Sequence, residues 1–287
     1  MGKIVGSVIL LLTISSLTEA QSFYSARRER SLILSGGLGT STYYGDLANS
    51  NAYIKANPNV NAALQYFLTN RIGARVELNW FTLAGDDKDA NGGGRVERNL
   101  SFQSSNFELS AVGMINLFTH GDRFYRRPGI NIYGFAGVGL LYFNPKATDQ
   151  LGNSVSLQPL KTEGVAYSLV APVIPFGLGI RFKVNPMFNL SIEAGFRKTF
   201  TDYLDDVSTT YPGASSFNGD AQAIYFSDRR VDPALNGTAG GVRGNSNSLD
   251  SYLLLNAKVE YYLPWAFGGG DRKKYSKKRG SFKRKRR

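Results

Sequence analysis

The sequence predicts an all-β protein, an eight-stranded antiparallel transmembrane β-barrel, and three observations carry that expectation. Five segments alternate apolar and polar side chains with a period of two residues, the signature of strands with two unlike faces. The connections between strands alternate in length, short then long, as in bacterial outer-membrane barrels with short periplasmic turns and long external loops. The chain also holds 32 Gly, 16 Tyr and 18 Phe yet is polar on average. Lipid-facing and lumen-facing residues that alternate along every strand cancel in just this way.

Taken in order, residues 1–20 read as an export signal. Lys3 supplies the positive charge, residues 4–17 are apolar and small, and Thr18-Glu19-Ala20 offers a cleavage site before Gln21. That apolar run is too short for a membrane-spanning helix, which needs about 20 residues. Residues 21–30, with Arg27, Arg28 and Arg30, form an N-terminal segment ahead of a barrel expected over 31–267. Its first two strands fall near 31–44 and 60–69, with weak alternation. The third is the clearest: Ile72, Ala74, Val76, Leu78 and Trp80 oppose Gly73, Arg75, Glu77 and Asn79. In the fourth, Phe107 to Leu117 alternate against Glu108, Ser110, Val112, Met114 and Asn116. A weaker fifth covers 130–143. The sixth sets Phe176, Leu178, Ile180, Phe182 and Val184 against Gly177, Gly179, Arg181 and Lys183; the seventh sets Phe188 to Phe196 against Asn189, Ser191, Glu193, Gly195 and Arg197. The eighth runs from Leu253 to Tyr262 with Lys258 and Glu260 on its polar face.

Short turns are expected at 70–71, at 185–186 and over about eight residues around 121–128. Long loops are expected at 46–57, 86–98, 145–166 and 204–248. An even strand number puts both termini at the periplasmic end. Paired aromatics near the strand ends predict interfacial girdles: Tyr43 and Tyr44, Trp80 and Phe81, Tyr142 and Phe143, Phe200 and Tyr203, and Tyr261, Tyr262, Trp265 and Phe267.

Eight strands enclose an interior just wide enough to be filled by side chains. The polar faces place Arg75, Glu77, Glu108, Arg181, Lys183, Glu193, Arg197, Lys258 and Glu260 there. Five bases against four acids predict a structural ion-pair network in place of an aqueous path. The chain has no cysteine, and its one histidine, His120, falls in a predicted turn. No nucleophile–base constellation stands out, Gly137 and Gly139 lack the pattern of a phosphate loop, and no cofactor or metal is implied. Asp202, Asp205 and Asp206 read as a solvated acidic turn.

The formal net charge is +12, and residues 271–287 supply +10 of it, with eleven Lys and Arg against one acid. Residues 268–287 are therefore a basic periplasmic tail behind a Gly268-Gly269-Gly270 joint. Its cations are Arg272, Lys273, Lys274, Lys277, Lys278, Arg279, Lys283, Arg284, Lys285, Arg286 and Arg287. Such tracts bind anionic partners. Outside the cytoplasm nucleic acid is not expected, which leaves an acidic protein or anionic outer-membrane lipid. A competing reading gives the work to loop 204–248, binding an external ligand while the tail tethers the barrel to the cell wall.

Several stretches carry a family likeness. Residues 42–47 (TYYGDL), 134–139 (GFAGVG), 175–179 (PFGLG) and 197–208 (RKTFTDYLDDVS) together resemble the PorG-like outer-membrane proteins of the type IX secretion system of Bacteroidetes. The resemblance spans roughly residues 32–262. It implies a non-enzymatic barrel in the outer membrane that sits over a periplasmic ring of PorK-like lipoprotein and PorN-like partner, within a secretion and gliding machinery. It carries over no catalytic residue.

Overall fold

The computed structural model describes residues 31–48, 57–90, 94–120 and 124–264. Ten strands alternate along the chain with a few short helical turns: β1 (Leu32–Tyr44), β2 (Asn57–Phe67), β3 (Ile72–Asp86), β4 (Ser101–Asn116), β5 (Ile130–Tyr142), β6 (Pro145–Thr148), β7 (Ser154–Ser156), β8 (Val170–Lys183), β9 (Phe188–Thr199) and β10 (Ser251–Tyr262). Eight of them, all but β6 and β7, close into a barrel. Each pairs antiparallel with its chain neighbours, and β1 pairs with β10 through Ile33 opposite Tyr262. Two short α-helices, α1 (Gly94–Arg98) and α2 (Ala221–Ser227), lie in loops.

The alternation seen in the sequence becomes a radial division. On β3, Val76 and Leu78 are about half exposed on the outer wall while Arg75, Glu77 and Asn79 are buried inside. The outer wall is apolar on every barrel strand, with Leu38, Leu64, Leu109, Val138, Leu178, Ile192 and Val259 all exposed. A closed barrel with a continuous apolar exterior satisfies its backbone internally and meets lipid with its side chains. No helix among the described residues is long and apolar enough to cross a membrane.

The strands overrun their predicted bounds at the loop end. A spanning strand needs about 9–11 residues; β3 has 15 and β4 has 16. Their surplus forms a wall above the membrane level. Strand β6 continues β5 after a break at Phe143-Asn144 and keeps the same register on β4, with Gln103 opposite Lys146. Strand β7 folds back on β6. The long connections are residues 45–56, 87–100, 143–169 and 200–250, and the third contains this hairpin. The middle turn is longer than expected, residues 117–129, with a 3-10 turn at Phe124–Arg126.

The girdle expectation needs correcting. Successive strand residues point to opposite faces, so only one member of each adjacent aromatic pair can meet lipid, and Phe200 and Tyr203 lie beyond the end of β9. Trp80, Tyr142 and Tyr261 face outward, whereas Tyr43, Phe81, Phe143 and Tyr262 are buried inside. Trp265 and Phe267, the export signal at 1–20, the 21–30 segment and the tail at 268–287 lie outside the described residues.

The inward aromatics build a core that period-two reasoning missed. Above the ionic lumen, Tyr43, Phe81, Leu83, Leu141, Phe143, Val173, Tyr252 and Leu254 pack with Leu47, Leu100, Leu204 and Val207 from the loops. Below it, Ile33, Phe124 and Tyr262 close the turn end, with Phe67 and Met187 against them.

Candidate functional site

Three tiers of charge fill the barrel between those two apolar layers. In the central tier Arg75 grips Glu193 at two points, Nη1 to Oε2 at 2.6 Å and Nη2 to Oε1 at 3.0 Å. Lys258 Nζ lies 2.9 Å from Glu193 Oε1 and 3.0 Å from both oxygens of Glu77. Glu77 in turn lies 2.9 Å from Arg75 Nε. Two cations and two anions thus alternate around a closed ring. Strand β3 supplies Arg75 and Glu77, two residues apart on one face; β9 and β10 supply the others across the bore.

Toward the turns, Arg181 Nε lies 2.6 Å from Glu260 Oε2, and its other nitrogens donate to Asn116 and Gln65. Toward the loops, Arg197 Nε lies 3.3 Å from Glu108 Oε2, which also accepts from Tyr252 at 2.7 Å. Rings complete the packing: Arg75 lies over Phe135 at 4.9 Å and Arg181 over Tyr133 at 4.7 Å. Glycine makes room for those rings. A Cβ on Gly179 would fall 2.3 Å from Tyr133 Cζ, and one on Gly195 would fall 2.9 Å from Phe135 Cζ.

The structure brings eight of the nine expected lumen residues into these tiers. Lys183 stands apart. It lies at the turn-end rim, half-buried, and donates to the Tyr125 carbonyl at 2.7 Å. Near the end of β8 its inward direction points at the 117–129 turn, which is folded under the barrel mouth. Without it the tiers hold four bases and four acids, so the lumen is neutral. Buried ions need paired partners to offset their desolvation, and here each has one. The tail cations Arg272 to Arg287 lie outside the described residues.

The turn end is sealed by Arg127. Its guanidinium donates to Asn189 Oδ1 at 2.8 Å and to the carbonyls of Phe124, Asn185, Pro186 and Phe188 at 2.9–3.1 Å, and it stacks 4.5 Å over Tyr262. His120 packs 4.4 Å from the Phe67 ring, with Nε2 3.4 Å from the Tyr262 hydroxyl. Burial, with Arg181 and Arg127 nearby, lowers its pKa to about 4. Among the described residues its one side-chain hydrogen-bond partner is that phenol, and no carboxylate is hydrogen-bonded to it.

At the loop end, the acidic turn is buried, not solvated, and Asp205 and Asp206 are bonded within it. Asp205 accepts from Tyr43 at 2.7 Å and from the Leu47 and Val207 amides; Asp250 accepts from Tyr43 at 2.6 Å and from the Leu204 amide. Tyr43 has one proton for two carboxyls, so one carboxyl must carry its own. Burial pushes Asp205 up to about 7, and burial together with the charge of Asp205 raises Asp250. Asp206 accepts from the Tyr167 and Thr162 hydroxyls, and burial lifts it to about 6 against the pull of Arg243. Arg243 reaches Glu163 at 2.8 Å, and Glu163 takes the Ser208 and Thr209 amides. Asp87 clasps Arg95 and Arg98. These carboxylates serve as anchors for loop backbone. Among the described residues no cluster of His, Cys, Asp and Glu is arranged to hold a metal ion.

A family model described as a domain of unknown function (DUF6089) matches residues 7–220. No curated protein sequence matches the chain. Among solved structures, Neisserial surface protein A is similar at 8% identity and a TM-score of 0.42, over 81% of this chain and 97% of that one. The attachment invasion locus protein Ail of Yersinia pestis, solved with the heparin analogue sucrose octasulfate, is 13% identical with a TM-score of 0.40, over 82% and 99%. The outer-membrane protein OprG of Pseudomonas aeruginosa is 10% identical with a TM-score of 0.39, over 83% and 97%. Likenesses of this degree carry no inference about ligands or partners.

Proposed function

The chain belongs to the DUF6089 family, and we propose that it is a non-enzymatic outer-membrane component of the type IX secretion and gliding machinery, anchoring a periplasmic ring to that membrane. The single observation that carries the reading is the filled bore. Two apolar layers and three ionic tiers occupy the barrel from end to end, which leaves work for the outer wall, the loops and the termini. The first and last barrel strands meet at the short-turn end, where the Leu263 amide donates to the Leu32 carbonyl at 2.9 Å. Short turns face the periplasm in barrels of this kind, so both termini would emerge there, and the cations Arg272 to Arg287 would meet acidic faces of the PorK- and PorN-like ring proteins. The rest of the support is the likeness of residues 42–47, 134–139, 175–179 and 197–208 to PorG-like proteins.

The reading in which loop 204–248 takes an external ligand loses its anchors. Tyr211 and Phe217 are buried around α2 and the bridge between Thr210 and Val242, Phe226 is buried against Ala147 and Leu157 of the neighbouring loop, and Tyr225 is half-buried beside it. Aromatic side chains turned inward cannot serve as binding hot spots.

Affinity capture from solubilised outer membrane tests the proposal, using the full chain and a variant lacking 272–287. Ring proteins should be recovered with the full chain and lost with the variant, while both remain membrane-inserted. Equal recovery from both removes the tail from the reading. Absence of ring proteins from both removes the secretion role.

A further inference from the structure

Outward side chains of β3, β4 and the β5–β6 strand form three rows of three at the loop-side edge of the apolar wall. The lowest row is aromatic, with Trp80 opposite Phe107 and Phe107 opposite Tyr142. The middle row is short and polar: Thr82 opposite Ser105, with Asn144 beyond. The top row sets Ala84 opposite Gln103 and Gln103 opposite Lys146. Short side chains between bulky rings below and long Gln and Lys stems above leave a cleft of about 310 Å³ on the outside of the barrel.

The chemistry changes abruptly along this wall. Below the aromatic row the same strands present Val76, Leu78 and Leu109 to lipid; above it they present hydroxyls, amides and one ammonium. Aromatic rows mark the headgroup level, so the cleft opens where lipid phosphates lie. None of the nine side chains is acidic, and Lys146 has no carboxylate partner among the described residues. The donors are also oriented. Trp80 Nε1 donates to Ser105 Oγ at 2.9 Å, which occupies the hydroxyl's acceptor side and leaves its proton to donate onward.

We propose that this cleft binds the phosphate-bearing headgroup of a membrane lipid in the leaflet facing the loops. Lys146 pairs with the phosphate, Ser105, Thr82 and Gln103 supply hydrogen bonds, and the Trp80, Phe107 and Tyr142 rings hold the upper acyl region. The occupant is a lipid because the cleft is continuous with the acyl-facing wall. The inference is independent of the ring-anchoring role and of the tail.

Native mass spectrometry of the detergent-solubilised full chain, titrated with lipid A, provides the test. One lysine at a headgroup is worth about fivefold in affinity, so Lys146→Ala should weaken binding by about that factor. Ser105→Phe, which fills the middle row and keeps the charge, should abolish it. Lys198→Ala, an exposed lysine on β9 outside the three rows, should leave it unchanged. A heat-dependent gel-mobility shift identifies folded variants. Undiminished binding by folded Lys146→Ala and Ser105→Phe overturns the proposal, as does an equal loss in Lys198→Ala. Displacement of the lipid by millimolar inorganic phosphate would also overturn it, leaving a simple anion site.

Discussion

Arg75 and Glu193 face each other across the bore from β3 and β9, joined by two hydrogen bonds of 2.6 and 3.0 Å. Strands that are not neighbours in the sheet are thereby tied through the centre, so the pair sets the barrel's cross-section as well as its charge. Removing one partner of a buried pair costs about 3–5 kcal/mol, because the other is left uncompensated. Glu193 serves two cations, Arg75 and Lys258. Glu193→Gln should therefore fall at the upper end of that range, and Glu193→Gln combined with Lys258→Met should recover part of the loss. Thermal unfolding in detergent, followed by gel mobility, measures both.

The same packing predicts that the purified barrel does not conduct. Planar bilayers holding the full chain should show no discrete current steps. Loops at one mouth and Arg127 at the other both contribute, so deletion of loop residues alone should not open a path through the ionic tiers.

Gly179 gives a more local test. The phenol end of Tyr133 lies against it, and even one methyl group would meet that ring at 2.3 Å. Gly179→Ala should destabilise the barrel by about 1–3 kcal/mol through overpacking. The Tyr133→Leu background should relieve most of that cost, a coupling that a double-mutant cycle on thermal midpoints will show.

The two ends of the barrel should answer pH in opposite directions. At the loop end Asp205 and Asp206 are raised to about 7 and about 6, above an unfolded value of about 3.9. The folded state holds more protons across that interval, so their contribution to stability is present at acid pH and is lost as pH rises from about 4 to about 7. At the turn end His120 is lowered to about 4, below an unfolded value of about 6.5. There the unfolded state holds more protons, so stability is lost as pH falls through about 6.5 to about 4. Limited proteolysis of loop 200–250 should accelerate as pH rises from about 4 to about 7. Asp205→Asn, which keeps the Tyr43 contact without a charge, should flatten that profile.

Sequence alone was enough for the strand count, the radial sorting and the closure. Alternation of Ile72, Val76 and Trp80 against Arg75 and Glu77 is local, and a residue's face follows from its parity once one face meets lipid. Parity also held the signal that would have corrected the aromatic pairs, since Trp80 and Phe81 cannot share a side. Lumen pairings were beyond its reach. Arg75 is 118 residues from Glu193 and Lys258 is 181 from Glu77, and which charges meet depends on shear between strands, which no local pattern encodes. The same holds for Lys183, inward by parity but placed at the rim by where β8 ends. The acidic turn looked solvated because Asp202, Asp205 and Asp206 are polar one by one. Only the fold, by laying Tyr43 over Asp205 and Tyr167 and Arg243 over Asp206 from distant strands and loops, made burial of those two carboxyls affordable.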